Sequence, residues 1–584
     1  MKRILVFVLI LSLLPGCIHS TPTKSVQEEK PAEPIIWEEM KITEEKKNNL
    51  ALLGKIWGYL KYYHPTVAKG EIDWDQELVN MIPQIIQAKN AKERDRIFTK
   101  WIDGLGEYMK KGKLANSVAG LKTEDYKQQP NLEWISTSGL DTELVKKLTG
   151  LKEAKRSNKN HYVTLEHPFK QPNVDNENPY AEMRFPEVEY RLLCLFRYWN
   201  IIEYYFPYKY LIDENWDDVL VEFIPKFIEA ANEQEYQLTT LEMIARIQDS
   251  HAGLYDFSEI DALLYVFEIE EFWGVLYAPV ILTFVENKPV VTGYYDKLMG
   301  QQSGLKVGDV ITKINGKRIE EIIEEKQTYI PASNYPTLLR YLSDKLLRSN
   351  DETIDIEFIR DNKLQQTTIN TYYFNKFNIA EYNHQKDYFK KIDSDIAYIY
   401  IGSLEKEHLP EVIKESEDTN GMIIDLRGYP IDHIATYTLG TYLLPTNKKY
   451  AQFANGSIQN PGVYKGDKLR YGKKNENYYK GNVVILINEV TISAAETLAM
   501  LLRTAPKATV IGSTTAAANG EVFLVPLPGG IVATLTGNGM YNPDGSQTQR
   551  IGIIPDIEVK PTIQGVKEGR DEVLERAIEI INEK

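Results

Sequence analysis

The sequence predicts a multidomain chain of the α/β class, with helical repeats in the N-terminal half, a β-rich module after them and an α/β domain at the C-terminal end. Three observations predict it. Apolar residues recur at helical spacing from Leu50 to about Gly106, and the same pattern returns 142 positions later without a gap. The stretch Ser303 to Lys317 reads as a turn at Gly308-Asp309, a short apolar strand and a hairpin at Asn315-Gly316. From residue 396 on, three short apolar segments, 396–401, 422–426 and 483–487, each lead through a turn into a helical pattern, as buried parallel strands joined by helices do. With 584 residues, the chain has room for about three to five domains, each with its own core.

Composition narrows the function. Hydrophobic residues make up 43% and charged residues 26%, the balance of an ordinary globular protein rather than a disordered, fibrous or polytopic membrane chain. A formal net charge of −15 repels phosphate backbones and makes nucleic acid a poor partner. The two cysteines are Cys17 and Cys194, so no disulfide framework is expected. The eight histidines are scattered; no metal-ligand spacing is visible, and no cofactor is expected.

Taken in order, residues 1–17 comprise Lys2 and Arg3, the apolar run Ile4 to Leu14, and Leu14-Pro15-Gly16-Cys17. This reads as a secretory signal, its apolar run being shorter than the ~20 residues of a transmembrane helix. Its end resembles a bacterial lipobox, with Cys17 as the lipidated residue. Residues 18–48 are polar and charged and read as a flexible tether. The first helical copy spans 49–113 and the second 186–270, with Trp57 matching Trp199, Tyr62-Tyr63 matching Tyr204-Tyr205, and Pro65 matching Pro207. Trp74-Asp75 likewise match Trp216-Asp217, and Ile82-Pro83 match Ile224-Pro225. These aromatics and prolines read as packing and helix-boundary residues of a scaffold. Between the copies, residues 114–185 are expected to be irregular with a few short strands. Cys194 falls in the apolar helix Leu192 to Ile202, as a small core residue. The copies differ at their ends: the second runs into Asp249-Ser250-His251-Ala252-Gly253, whereas the same register in the first gives Glu107-Tyr108-Met109. Only the second carries a group there that titrates near neutral pH.

Residues 271–375 resemble a PDZ domain of the kind found in bacterial proteases, with Glu320 to Asn350 as a helical insertion. The resemblance implies that an extended peptide adds to a sheet edge, its terminal carboxylate held in a nest of backbone amides. Gly274 and Val275 fall where that loop is expected. The alternative is a module that only docks domains together.

The C-terminal domain, residues 376–584, carries the chemistry. Its strand Val483 to Ile487 leads through Asn488-Glu489-Val490-Thr491-Ile492 into Ser493-Ala494-Ala495-Glu496, at the start of an apolar helix running to about Arg503. Ser-x-x-Glu is also the capping-box pattern. The same geometry projects a hydroxyl from a helix end, where small Ala494 and Ala495 admit a substrate and free N–H groups favour an oxyanion. From these residues alone both readings stand.

The order of helical unit, PDZ-like module, Asp425-Leu426-Arg427-Gly428, Ser493-Ala494-Ala495-Glu496 and Gly552-Ile553-Ile554-Pro555-Asp556-Ile557 resembles the C-terminal processing, or tail-specific, serine peptidase family. The resemblance implies a ClpP/crotonase-like spiral ββα catalytic domain, Ser493 as nucleophile, Ala494 N–H as one oxyanion donor, and Gly428 as the second, just ahead of Pro430, which has no N–H. One branch of the family takes its base from a lysine after the serine. Here positions 516–519 are Ala-Ala-Ala-Asn, and Lys507 is the only lysine between Ser493 and Lys560. The tricorn-core-like branch uses a Ser-His pair just before the PDZ module, a place held by Ser250-His251. In that branch a glutamate three residues before the Gly-x-x-Pro-Asp segment orients the base. This chain has Gln549 there, which offers the ring a hydrogen bond but no charge; in serine-protease triads an acid-to-amide change costs about 10⁴ in turnover.

The function so implied is that of a lipid-anchored, extracytoplasmic serine endopeptidase of a bacterial cell envelope. It would cleave unstructured or C-terminal polypeptide segments through an acyl-enzyme on Ser493, with His251 as general base and Ser250 and Gln549 orienting it. Its partners would be a polypeptide substrate and, through the anchor, a membrane. The first alternative is a peptide-binding lipoprotein that kept the fold and lost activity. A carrier or hydratase on a crotonase-like fold is the second, without an evident cofactor-binding signal.

Overall fold

The computed structural model describes residues 35–110, 126–166, 169–257, 269–379 and 386–583. The expected signal segment, Cys17 and the first part of the tether lie outside the described residues. The last part of the expected tether is docked: Trp37 Nε1–H donates to Glu189 Oε1 at 2.8 Å, and Ile35, Met40 and Ile42 pack against the helical core. No helix of the described residues is long and apolar enough to cross a membrane.

The repeated sequence folds into repeated helices. The first copy gives Glu44–Tyr63, Trp74–Ile86 and Ala91–Gly104, started by Thr43, Asp73 and Asn90 side chains that accept backbone N–H groups. The second gives Val188–Tyr205, Trp216–Glu229 and Glu233–Ala245, the last two started by Asn215 and Asn232. In each copy two tryptophans clamp the first helix to the second by reciprocal indole bonds. Trp57 donates to Trp74 O at 2.8 Å and Trp74 to Trp57 O at 3.1 Å; Trp199 and Trp216 do the same at 2.7 and 3.1 Å. A buried indole needs an acceptor, which is why the residue repeats. Pro83 and Pro225, expected at helix boundaries, instead lie inside the helices.

The copies pack on each other with pseudo-twofold symmetry. Lys55 pairs with Asp217 at 2.8 Å and Arg197, its counterpart 142 positions on, pairs with Asp75 at 2.5 Å. The long helices approach closely because Gly54 faces the Phe196 ring and Gly58 faces the Asn200 side chain. Arg197 is fully buried; it also pairs with Glu177 and donates to Pro526 O in the C-terminal part. The connecting region has the expected short strands, Tyr126–Gln128, Thr164–Glu166 and Gln171–Asn173, and, beyond what was expected, the helices Trp134–Thr137 and Thr142–Leu151. The latter begins where Asp141 accepts Leu144 N–H and buries Leu144, Leu148 and Leu151.

The middle module is an antiparallel sheet in the order Lys363–Asn370, Thr353–Arg360, Val310–Ile314, Lys288–Tyr294, Val280–Val285. Asn315 and Gly316 take positive φ in the hairpin to Lys317–Arg318, and the inserted helices are Ile319–Lys326 and Tyr335–Ser343. The C-terminal part is a six-stranded sheet in the order Phe389–Ile392, Ile396–Tyr400, Gly421–Asp425, Asn482–Ile487, Ala508–Gly512, Ile557–Glu558, parallel after its first pair. The helices Leu409–Ser416, His433–Leu443 and Ala494–Leu502 cover one face and Glu572–Asn582 the other. With both faces covered, the central strands are continuously apolar. Two smaller sheets fasten the helical half to this domain. In one, Gly253–Asp256 pairs with Ile531–Thr536; in the other, Tyr126–Gln128 pairs with Tyr464–Tyr471.

Candidate active site

The site lies beyond the carboxyl ends of the parallel strands, where α/β sheets place ligands. After Asn482–Ile487 the chain ties itself into a turn: Asn488 N–H donates to Thr491 Oγ1 at 3.1 Å and Val490 N–H to Asn488 Oδ1 at 3.0 Å. Thr491 then donates its hydroxyl to Leu426 O at 2.8 Å, which draws the segment 426–428 beside the entrance to the helix. Ser493 is the residue before helix Ala494–Leu502, with φ 57° and ψ −116°. An L residue pays strain for that conformation, and such strain concentrates at functional positions. Glu286, Asn287, Asn315, Asp361, Asn362, Asp393 and Ser394 take positive φ in hairpin turns. Outside hairpins, Gln248, Ser493, Ala517 and Arg550 do so around this site, and Tyr180 does so in the helical half.

The capping reading is half realised. Glu496, fully buried, accepts Ser493 N–H at 3.2 Å, but the Ser493 hydroxyl makes no capping bond. The same carboxylate accepts Ala517 and Ala518 N–H, each at 3.1 Å, and the Thr515 hydroxyl. Burial pushes Glu496 up to about 8 while these donors pull it down. Its position thus binds the Ala516-Ala517-Ala518 run to the start of the helix. Ser493 N–H donates to Ala518 O at 3.0 Å and Ala516 N–H to Thr491 O at 3.0 Å.

That run also brings in the histidine. Ser250 Oγ donates to Ala516 O at 2.9 Å, so the segment bearing His251 is tied to the same run that holds Ser493, although 242 positions separate the two in the chain. The pairing of Gly253 with Thr534 sets the register, and two residues further on Thr536 faces His251: Oγ1 and Nδ1 are 2.9 Å apart. The Thr536 hydroxyl donates its one proton to Asp249 Oδ1 at 3.0 Å, so at the ring it accepts, and Nδ1 carries the hydrogen. Nε2 keeps its lone pair; it is buried and has no protein partner. Burial holds the imidazole below its ordinary range, against the attraction of Asp249. The Ser493 hydroxyl and Nε2 are not hydrogen-bonded to each other.

Ser250 and Gln549, expected to orient the ring, do not touch it. Ser250 exchanges bonds with Ser333 of the middle module, each N–H donating to the other's hydroxyl at 2.8 Å. Gln549 Nε2 donates to Asp249 Oδ1 at 3.0 Å and to Ser333 Oγ at 3.3 Å. Tyr341 donates to Ser250 O at 3.0 Å, so the inserted helices of the module abut the site. Of the expected oxyanion donors, Ala494 N–H opens the helix and has no intrahelical partner. Gly428 lies under the Tyr400 hydroxyl, 2.2 Å from where a Cβ would sit, so no side chain fits there. Among the described residues no group of three or more His, Cys, Asp or Glu is placed to hold a metal ion.

Gly274 and Val275 do not form an open nest. Leu276–Tyr277 pairs with Arg348–Ser349 of the same chain, Val275 N–H donates to Asn350 Oδ1 at 3.3 Å, and Gly274 presses on the Ser349 backbone. Beside them lies a cavity of about 190 Å³ whose lining includes Trp273, Ile322, Leu342, Lys326, Lys345 and Arg348 and no carboxylate. The parts that sequence reasoning missed are Thr536, Thr515, Ser333 and the engagement of Asp249. Asp249 stood in view two residues before His251; the others show only once the strands are in register.

The pattern of peptidase family S41 matches residues 395–559. The chain is 25% identical over 311 residues to a carboxy-terminal-processing protease of Bartonella bacilliformis, covering 50% of this chain and 63% of that protein. It is 26% identical over 268 residues to the carboxy-terminal processing protease CtpA of Bacillus subtilis, covering 44% and 51%. It therefore spans less than two thirds of the length of either relative. Among solved structures, mature CPAF complexed with lactacystin superposes with a TM-score of 0.52 at 14% identity, covering 68% of this chain and 99% of that one, a likeness of fold.

Proposed function

From the peptidase family S41 domain that the chain carries at residues 395–559, we propose that it is a serine endopeptidase acting on unstructured or C-terminal polypeptide segments. One observation carries the reading: Ser493, strained and with a free hydroxyl at a helix N-terminus, is joined through Ala516-Ala517-Ala518 to the segment bearing His251. With Nδ1–H directed at Thr536, the neutral ring presents Nε2 to take the Ser493 proton as the hydroxyl oxygen attacks a peptide carbonyl. Burial keeps the ring unprotonated near neutral pH, as a base requires. The oxyanion that forms is held by Ala494 N–H, with Gly428 N–H as the second donor, and the helix dipole adds to the attraction. The imidazolium then protonates the departing amine. Water, activated by the same nitrogen, releases the acyl group.

The middle module presents the substrate. Its cavity offers three cations and an apolar lining, Trp273, Ile322 and Leu342 among it, chemistry suited to a chain-terminal carboxylate with an apolar last residue. Side-chain cations would thus replace the amide nest expected at Gly274 and Val275. Lipidation at Cys17 would tether the enzyme outside the cytoplasm, in a bacterial cell envelope. Cleavage of an unstructured polypeptide by the purified full chain, abolished in both Ser493→Ala and His251→Ala, is the expected result. Unchanged cleavage in either variant would refute the assignment.

A further inference from the structure

We propose that Asp249 supplies the negative charge behind the His251 base, relayed through the Thr536 hydroxyl, and that Gln549 is the donor holding that carboxylate in place. The inference rests on the serine peptidase reading above and assigns Asp249, Thr536 and Gln549 as positioning residues.

Asp249 is fully buried and faces donors: His251 N–H at 3.1 Å, Thr536 N–H at 2.7 Å, Thr536 Oγ1 at 3.0 Å and Gln549 Nε2 at 3.0 Å. Every one of these contacts is a donor, so the carboxylate serves here purely as an acceptor. No cation forms an ion pair with it among the described residues. Arg550, next to Gln549, turns its guanidinium away, to Ser333 O and Leu211 O at 2.9 Å and toward Asp213. The other titratable side chains that feel Asp249 are the tyrosines Tyr198, Tyr208 and Tyr341, which are neutral.

The charge therefore has no partner until His251 takes the serine proton. The two groups are then joined through two hydrogen bonds, on the order of 6 Å apart, where an effective interior dielectric gives an attraction on the order of 10²-fold in rate. Because the attraction appears only as the imidazolium forms, it accelerates the chemical step instead of tightening substrate binding. The same geometry explains the amide at position 549. A glutamate there would bring a second carboxylate to about hydrogen-bond distance from Asp249 and remove a donor, and like charges so close cannot both ionise cheaply. Asp249 and Gln549 form a compensated pair, in which the charge sits at 249 and the amide at 549.

Two readouts on the purified full chain test this, one independent of activity. Nitrogen NMR of ¹⁵N-histidine protein should show His251 as the Nδ1–H tautomer. Thr536→Ser should keep that tautomer, Thr536→Val should lose it, and Asp249→Asn should lower the His251 titration midpoint. The rate at which a fluorophosphonate labels Ser493 should fall about 10²-fold in Asp249→Asn and in Thr536→Val, stay near wild type in Thr536→Ser, and fall in Gln549→Glu. A His251 tautomer and titration unmoved by Asp249→Asn and Thr536→Val, or faster labelling in Gln549→Glu, would overturn the proposal. Absent labelling of the folded wild type would instead count against the peptidase reading, while the NMR result would still decide the relay.

Discussion

The close crossing of the two long helices makes Gly58→Ala an informative substitution, because two effects of opposite sign compete there. Helix propensity alone favours alanine over glycine by about 1 kcal/mol. The new Cβ, however, would lie 1.9 Å from Asn200 Oδ1 and 2.0 Å from its Cγ, far inside contact distance. Asn200 is fully buried and cannot step aside without giving up its bonds to Gly54 O at 3.0 Å and Phe196 O at 2.8 Å. Each buried group left unsatisfied costs about 1–3 kcal/mol, and forcing the helices apart instead costs about 1–3 kcal/mol. The net expectation is a loss of about 2–4 kcal/mol. Urea unfolding followed by fluorescence, with Trp57 and Trp199 beside the contact, should show a lower midpoint for Gly58→Ala and partial recovery in Gly58→Ala with Asn200→Ala, since the second change removes the clash. Peptide cleavage should weaken in parallel, because this scaffold delivers His251. A variant as stable as the wild type, or more so, would mean that propensity outweighs packing and that the close approach constrains nothing.

Two further outcomes follow from buried and cavity-lining ionisable groups elsewhere in the chain. His64 is buried, accepts Thr66 N–H at 3.3 Å and is pushed down to about 4 by burial. Its folded value lies below the unfolded ~6.5, so its contribution is full above pH 6.5 and is lost as the pH falls toward 4, by about 3 kcal/mol at one pH unit per 1.36 kcal/mol. Melting temperatures of wild type and His64→Gln, compared at pH 7 and pH 4.5, should show the smaller acid-induced drop in the variant; equal drops would contradict the assignment. In the module's cavity, Lys326→Gln together with Lys345→Gln should raise KM severalfold for a substrate ending in a free carboxylate and leave its C-terminally amidated twin unchanged, whereas equal effects on both would remove the cavity from terminal recognition.

The sequence made the duplication legible because tryptophan and proline repeat as identities, Trp57 with Trp199 and Pro65 with Pro207. The reciprocal ion pairs were not legible, since Lys55 and Arg197 differ in type and each finds its aspartate in the other copy. Ser493 and His251 stood out locally only as candidates, at a strand leading to a helix start and as a histidine present in one copy and absent from the other; their roles came from the order of motifs shared with the peptidase family. The partners of His251 could not be found in this way. Thr536 lies 285 positions from His251 and meets it only through the register of Gly253–Asp256 on Ile531–Thr536. Gln549 read as a weakened acid for the same reason, because nothing local shows that its amide points at Asp249. The PDZ-like loop failed at Gly274 and Val275 because the chain's own Arg348–Ser349 fills the edge they were expected to leave open. Helix Thr142–Leu151 was hidden within a Lys-rich stretch, though Asp141 marks its start.

The central claim is that Ser493 is a nucleophile activated by His251, and the site of covalent modification tests it most directly. Wild-type protein treated with a fluorophosphonate and mapped by peptide mass spectrometry should carry the adduct on Ser493, and His251→Ala, folded as judged by its melting curve, should carry almost none. An adduct on another residue, or equal modification of Ser493 in His251→Ala, would contradict the account.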